Sequence, residues 1–172
     1  LCTRLKQNST FKMKVLKFGG TSVGSPENMR AVMKIITDGE EKIVVLSAMS
    51  GTTNSLVEIS EYLHKKDKEA ALASIGKLEE KYRKVIDELF VSEENKQKGL
   101  QVIRESFDTL KSFTSGNFDM AGENTIVAQG ELISPRLFTI LMEENGYKTL
   151  LLPALDYMLI DEDNAADMPF IQ

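Results

Sequence analysis

The chain has 172 residues, 42% hydrophobic and 27% charged, with a formal net charge of -5. That balance belongs to a folded globular protein and excludes a disordered chain. The acidic charge excludes a basic field for nucleic acid or an anionic membrane, and no apolar run approaches the ~20 residues of a membrane span.

The single cysteine, Cys2, and the single histidine, His64, leave neither an internal disulfide nor a Cys/His zinc site. No metal-ligating cluster is expected. Residues 1–12 mix Arg4, Lys6, Gln7, Asn8 and Ser9 without periodicity and lack the apolar core of a signal peptide. They read as a disordered leader before Met13, a candidate natural start, with a cloning remnant or a mis-called start codon explaining the tail equally well; the cytoplasm is the expected location.

The first element is a strand at Lys14-Val15-Leu16-Lys17-Phe18, and it runs directly into Gly19-Gly20-Thr21-Ser22-Val23-Gly24. Two consecutive glycines remove two Cβ atoms, so the backbone turns sharply and its N–H groups can approach a ligand closely. Thr21 and Ser22 add hydroxyls, and Lys17 adds a cation at the mouth. Such a set suits a polyphosphate or a transferring phosphoryl group. It equally suits an ordinary strand-to-turn junction with an incidental lysine, and both readings stand at this point. The spacing is neither GxxxxGK[ST] nor GxGxxG.

Ser25-Pro26-Glu27 then starts a helix, with Ser as N-cap and Pro in the first position. Met29, Val32, Met33 and Ile36 carry its buried stripe, and Asp38-Gly39 ends it. Lys42-Ile43-Val44-Val45-Leu46 is a second strand, expected to be buried on both faces as in a parallel sheet. It breaks into a polar loop at residues 47–54, rich in Ser, Thr and Gly. Two such junctions would lie side by side at one edge of an open α/β sheet, where ligands bind.

Between residues 56 and 113 the period becomes helical. Leu56, Ile59 and Leu63 mark one helix, and Leu72, Ile75, Leu78, Tyr82, Val85, Ile86 and Leu89 a longer one. A third, capped by Ser92, carries Leu100, Ile103, Phe107 and Leu110. This stretch is too long for a plain crossover and reads as a helical subdomain beside the sheet. Residues 114–117 are a turn. Pro135 belongs in a first turn, so the next helix is expected to begin near Glu131 to Ser134 and to stop at Asn145-Gly146. That places Glu131 at a helix N-terminus beside Gly130. Residues 147–152 complete the list as a third strand, followed by an acidic tail with Asp161, Glu162, Asp163 and Asp167. The fold class is α/β, a doubly wound and mainly parallel sheet with a helical insert, incomplete in its strands.

Three features converge: Lys17 with its glycine loop, the loop at 47–54, and Gly130-Glu131. Lys17-Phe18-Gly19-Gly20-Thr21-Ser22-Val23 resembles the N-terminal signature of aspartokinases, members of the amino-acid kinase superfamily. Val45-Leu46-Ser47-Ala48-Met49-Ser50-Gly51-Thr52-Thr53-Asn54 and Gly130-Glu131-Leu132-Ile133-Ser134 resemble that family's second and third loops, and the likeness runs from about residue 13 to the end. The resemblance implies transfer of the γ-phosphoryl group of ATP, carried with Mg2+, to the side-chain carboxylate of L-aspartate. It implies a catalytic role for Lys17 and phosphate binding by Lys17, Gly19, Gly20, Thr21 and Ser22. It assigns the aspartate to Ser47, Thr53 and Glu131, and it implies a homo-oligomer for the full-length protein. Family members continue well beyond this length, with a further glycine-rich segment, a carboxylate-binding arginine and regulatory domains. The chain is therefore expected to be the N-terminal part of such an enzyme, with little turnover of its own. A kinase of another small amino acid or of carbamate, and a non-catalytic binding module, are the alternatives.

Overall fold

The computed structural model describes residues 13–116 and 118–156. The leader at 1–12, Asn117 and the acidic tail from 157 onward lie outside the described residues.

Strand β1 (Lys14–Phe18) leads through the glycine loop to helix α1 (Pro26–Ile36), which returns the chain to strand β2 (Lys42–Leu46). The strands pair in parallel with Lys14 opposite Lys42 and Phe18 opposite Leu46. α1 forms where its caps direct it. The Ser25 hydroxyl accepts from the Asn28 N–H at 3.2 Å, and Pro26 opens the first turn. Met29, Val32, Met33 and Ile36 are buried, as their spacing demands. Gly39 takes a φ of +88°, the left-handed turn that brings the chain back.

Four helices follow: α2 (Thr52–His64), α3 (Lys68–Leu89), α4 (Glu93–Ser112) and α5 (Met120–Glu144). A short 3-10 turn at Phe113–Ser115 separates the last two, and another at Ala154–Asp156 follows α5. Asp67, Ser92 and Asp119 each cap the helix that follows them. α2 packs on α3 and α5, and α4 packs on the same two, which closes a four-helix cluster. Its interior holds Leu56, Ile59, Ile75, Tyr82, Ile86, Ile103, Phe107, Leu110 and Ile126, all essentially inaccessible to water. Tyr82 and Phe107 meet edge to face with centroids 6.0 Å apart.

Three expectations need correction. β2 is not buried on both faces: Ile43 and Val45, which share one face, are 40% and 45% exposed, so among the described residues that face is left largely uncovered. Among the described residues the segment 147–152 makes no strand pairing; it leaves α5 as an irregular chain with Leu150 82% exposed. An aliphatic run becomes a strand only where a neighbour accepts its backbone hydrogen bonds. Finally, α5 does not begin near Pro135. It begins at Met120, capped by Asp119, and runs through Pro135 to Glu144. Apolar residues on both sides of the proline, Ile126 and Ile133 before it and Leu137 and Leu141 after it, are buried and hold the helix together.

Candidate functional site

Lys17 is the fourth residue of β1, exposed, and opposite Val45 of β2. The ladder continues one step past the strands, for the Ser47 N–H donates to the Phe18 carbonyl at 3.1 Å. Ser47 therefore begins the second loop immediately beside Gly19. From there the two loops pack against each other. A Cβ at position 20 would sit 2.8 Å from the Ala48 carbonyl oxygen, and one at position 24 would sit 3.0 Å from the Ser50 Cβ. Glycine at these positions permits a contact no other residue allows. Within the first loop the Ser22 N–H donates to the Gly19 carbonyl at 2.9 Å, and the Asn28 side-chain amide donates to the Thr21 carbonyl at 2.8 Å. These bonds shape the turn while the Thr21 and Ser22 side chains stay exposed.

Gly51, at φ +78°, ends the second loop and is the N-cap residue of α2. The loop expected over 47–54 is thus shorter, and Thr53 is the second residue of the helix. The two helix starts at this edge differ electrostatically. α1 carries its own Ser25 cap and an acid, Glu27, in its first turn. α2 has neither a side-chain cap nor a first-turn acid, which leaves the positive end of its dipole open to an added anion. Ser47 is half-buried and Thr53 is exposed on this side of the fold.

The third feature arrives on α5. A Cβ at Gly130 would lie 2.8 Å from the Ala48 Cβ and 3.0 Å from the Thr52 Cγ2, so α5 crosses directly on the second loop. Glu131, the next residue, is exposed in mid-helix rather than at a helix start. Pro135 has no N–H to give to the Glu131 carbonyl four residues back, so this residue presents both a carboxylate and a backbone oxygen lacking its usual helical donor. The structure brings Gly20, Ala48 and Gly130 into one junction, and with them the three motifs singled out in the sequence.

Two residues of α3 support that junction and carry no motif. The Tyr82 hydroxyl shares a buried hydrogen bond of 3.0 Å with the Thr52 hydroxyl, and burial pushes its pKa up to about 12, against the opposing effect of that bond. The Lys81 ammonium donates to the Ser50 carbonyl at 2.7 Å. Tyr82 belongs to the apolar stripe, but Lys81 follows a run of charged residues and no periodicity distinguishes it.

The family model described as the amino acid kinase family matches residues 12–167. Aspartokinase 3, chloroplastic, of Arabidopsis thaliana is 29% identical over 184 aligned positions, which take in 97% of this chain and 32% of that protein. The bifunctional aspartokinase/homoserine dehydrogenase of Buchnera aphidicola is 27% identical, over 90% of this chain and 20% of that one. Among solved structures, E. coli aspartokinase III in complex with aspartate and ADP superposes with a TM-score of 0.75. At 22% identity, over 93% of this chain and 36% of that chain, this is a likeness of fold. The chain spans about a third or less of the length of these two curated relatives.

Proposed function

The chain belongs to the amino acid kinase family, and on that premise we propose that it forms the phosphate-loop and acceptor-binding part of an aspartate kinase. The observation that carries this reading is the meeting of Gly20 and Gly130 on Ala48, one at its carbonyl oxygen and the other at its Cβ, each 2.8 Å away at the position of a Cβ. It supports one cleft walled by the glycine loop, the residues after β2, and Glu131.

The chemistry fits these groups. The side-chain carboxylate of L-aspartate is already ionised at neutral pH, so its attack on the γ-phosphorus of ATP needs no general base. A carboxylate oxygen bonds to phosphorus, the bond to the bridging oxygen breaks, and ADP leaves with that electron pair. The product is 4-phospho-L-aspartate. The obstacle is charge, since one anion approaches another. Lys17 compensates charge on the transferring group, and the Gly19 and Gly20 N–H groups and the Thr21 and Ser22 hydroxyls hold the phosphates. Mg2+ enters with ATP on the phosphate oxygens. Ser47 and Thr53, beside the uncapped start of α2, bind the acceptor's carboxylates. Glu131 binds its α-ammonium.

The test is phosphorylation with ATP and L-aspartate, trapped by hydroxylamine as the acyl hydroxamate. It is run on this chain and on a version extended to the length of its relatives. Aspartyl hydroxamate from the extended protein, with little from the chain alone, is the expected result. Product with glutamate, acetylglutamate or carbamate but not aspartate overturns the assignment. Aspartate binding without turnover by the extended protein identifies a binding module instead.

A further inference from the structure

We propose that Lys81 is a positioning residue for the acceptor loop: from α3 it ties down Ser50 and thereby sets how tightly the loop from Ser47 to Thr53 holds an amino-acid carboxylate. The proposal rests on the reading of that loop given above. Lys81 belongs to none of the three motifs.

The geometry is that of a clamp. The Lys81 ammonium donates to the Ser50 carbonyl at 2.7 Å and lies against Gly51, 3.7 Å from where a Cβ there would stand. Ser50 is also the residue that packs on the glycine loop. Its Cβ would be 3.0 Å from a Cβ at Gly24, and its nitrogen 3.6 Å from one at Gly20. Its carbonyl is thus held by the helical cluster while its nitrogen and Cβ lie against two glycines of the phosphate loop. The next residue of α3 grips the other side of Gly51, through the buried Tyr82–Thr52 bond of 3.0 Å. Consecutive residues of one helix hold the positions either side of a left-handed glycine at the start of α2.

The location of the charge argues against an incidental surface lysine. Among the described residues Lys81 has no carboxylate partner, although nine other basic side chains (Lys14, Lys42, Lys65, Arg83, Lys84, Lys96, Lys98, Lys111 and Arg136) do. It is instead half-buried, and the loss of water lowers its pKa from the ordinary lysine value. A cation kept partly dry for one backbone carbonyl, at the edge of a cleft for two anions, is placed where it fixes backbone geometry and adds positive potential. A charge-assisted bond of this kind is stronger than a neutral one. Displacing the loop by a fraction of an ångström is enough to weaken a carboxylate site.

The experiment compares wild type, Lys81→Met and Lys81→Arg as the whole 172-residue chain, by amide hydrogen exchange and L-aspartate titration. Lys81→Met should exchange the amides of residues 50–54 about tenfold faster and bind aspartate about fivefold or more weakly. The α4 amides should change less than those of residues 50–54 and the thermal midpoint should fall by only about 2–5 °C, which separates positioning from a general loss of structure. Lys81→Arg keeps a cationic donor and should recover affinity to within about threefold of wild type. If Lys81→Met matches wild type within about twofold in both exchange and affinity, or Lys81→Arg is as impaired as Lys81→Met, the proposal is overturned. If the wild-type chain binds no aspartate, the functional reading rests on the hydroxamate assay of the extended protein alone. Exchange at 50–54 then still decides the clamp, and equal rates in wild type and Lys81→Met reject it.

Discussion

A methyl group at position 20 would stand 2.8 Å from a backbone oxygen, whereas one at position 19 would meet nothing within 4 Å. Adjacent glycines thus serve different ends. Gly20→Ala should cost about 1–3 kcal/mol in urea unfolding, because the Ala48 carbonyl cannot yield without moving the second loop. Gly19→Ala should leave stability within about 0.5 kcal/mol and instead weaken ATP binding, since its bare backbone has only a ligand to approach. Lys17 makes the corresponding argument for charge. It is exposed on β1, where its replacement removes no core contact. In the protein extended to its relatives' length, Lys17→Ala should lower turnover about 100-fold or more while aspartate affinity changes less than about threefold. Turnover surviving within about threefold would remove Lys17 from the chemistry.

At the scale of elements, the helices join through their ends. Glu144, the last residue of α5, accepts hydrogen bonds from the Val91 and Ser92 N–H groups and the Asn95 amide, at the start of α4. Burial pushes its pKa up, but these donors outweigh it and hold the carboxyl below its ordinary 4.5. A carboxylate depressed in the folded state stabilises the fold above its unfolded pKa and loses that contribution as pH falls through the folded value. Glu144→Gln should therefore cost about 1 kcal/mol at pH 7, with a difference from wild type that shrinks below about pH 4.5 and vanishes in stronger acid. Urea unfolding at a series of pH values measures it. Arg30 of α1 makes the complementary contact, donating to the carbonyls of Glu88 and Leu89 at the end of α3. One helix thus receives a carboxylate at its positive end and another a guanidinium at its negative end, as the helix dipole favours.

Across the whole molecule, the buried mass lies in the helical cluster and not in the sheet. Phe107 and Ile103 are fully buried, while Val15, Ile43 and Val45 on the strands are substantially exposed. Phe107→Ala should cost about 3–5 kcal/mol, and Val45→Thr about 0.5 kcal/mol or less. Reversal of that order in thermal or urea unfolding would mean that the strands, and not the helices, carry the stability of this chain. The residues proposed for the site sit where the two parts join. β1 and β2 bring the loops, α5 brings Glu131, and α3 braces the loop between them.

Much of this was legible in the sequence because it is decided within a few residues. The Ser25 and Ser92 caps, the left-handed Gly39, the stop at Asn145-Gly146 and the apolar stripes of α1 to α4, apart from the exposed Leu72, follow from local hydrogen bonding and a period of 3.6. The glycine loop, residues 47–54 and Gly130-Glu131 were also visible as motifs. What the tertiary structure alone decided involves partners distant along the chain. The span 147–152 has the local properties of a strand and, among the described residues, no strand neighbour to bond. α5 passes through Pro135 because its flanks are buried on both sides, which outweighs one missing hydrogen bond. Ala48 becomes a junction only when two glycines 110 positions apart close on it, and Lys81 gains a role only because α3 passes beneath Ser50. Propensity and capping act along the chain, whereas close packing and desolvation act across it.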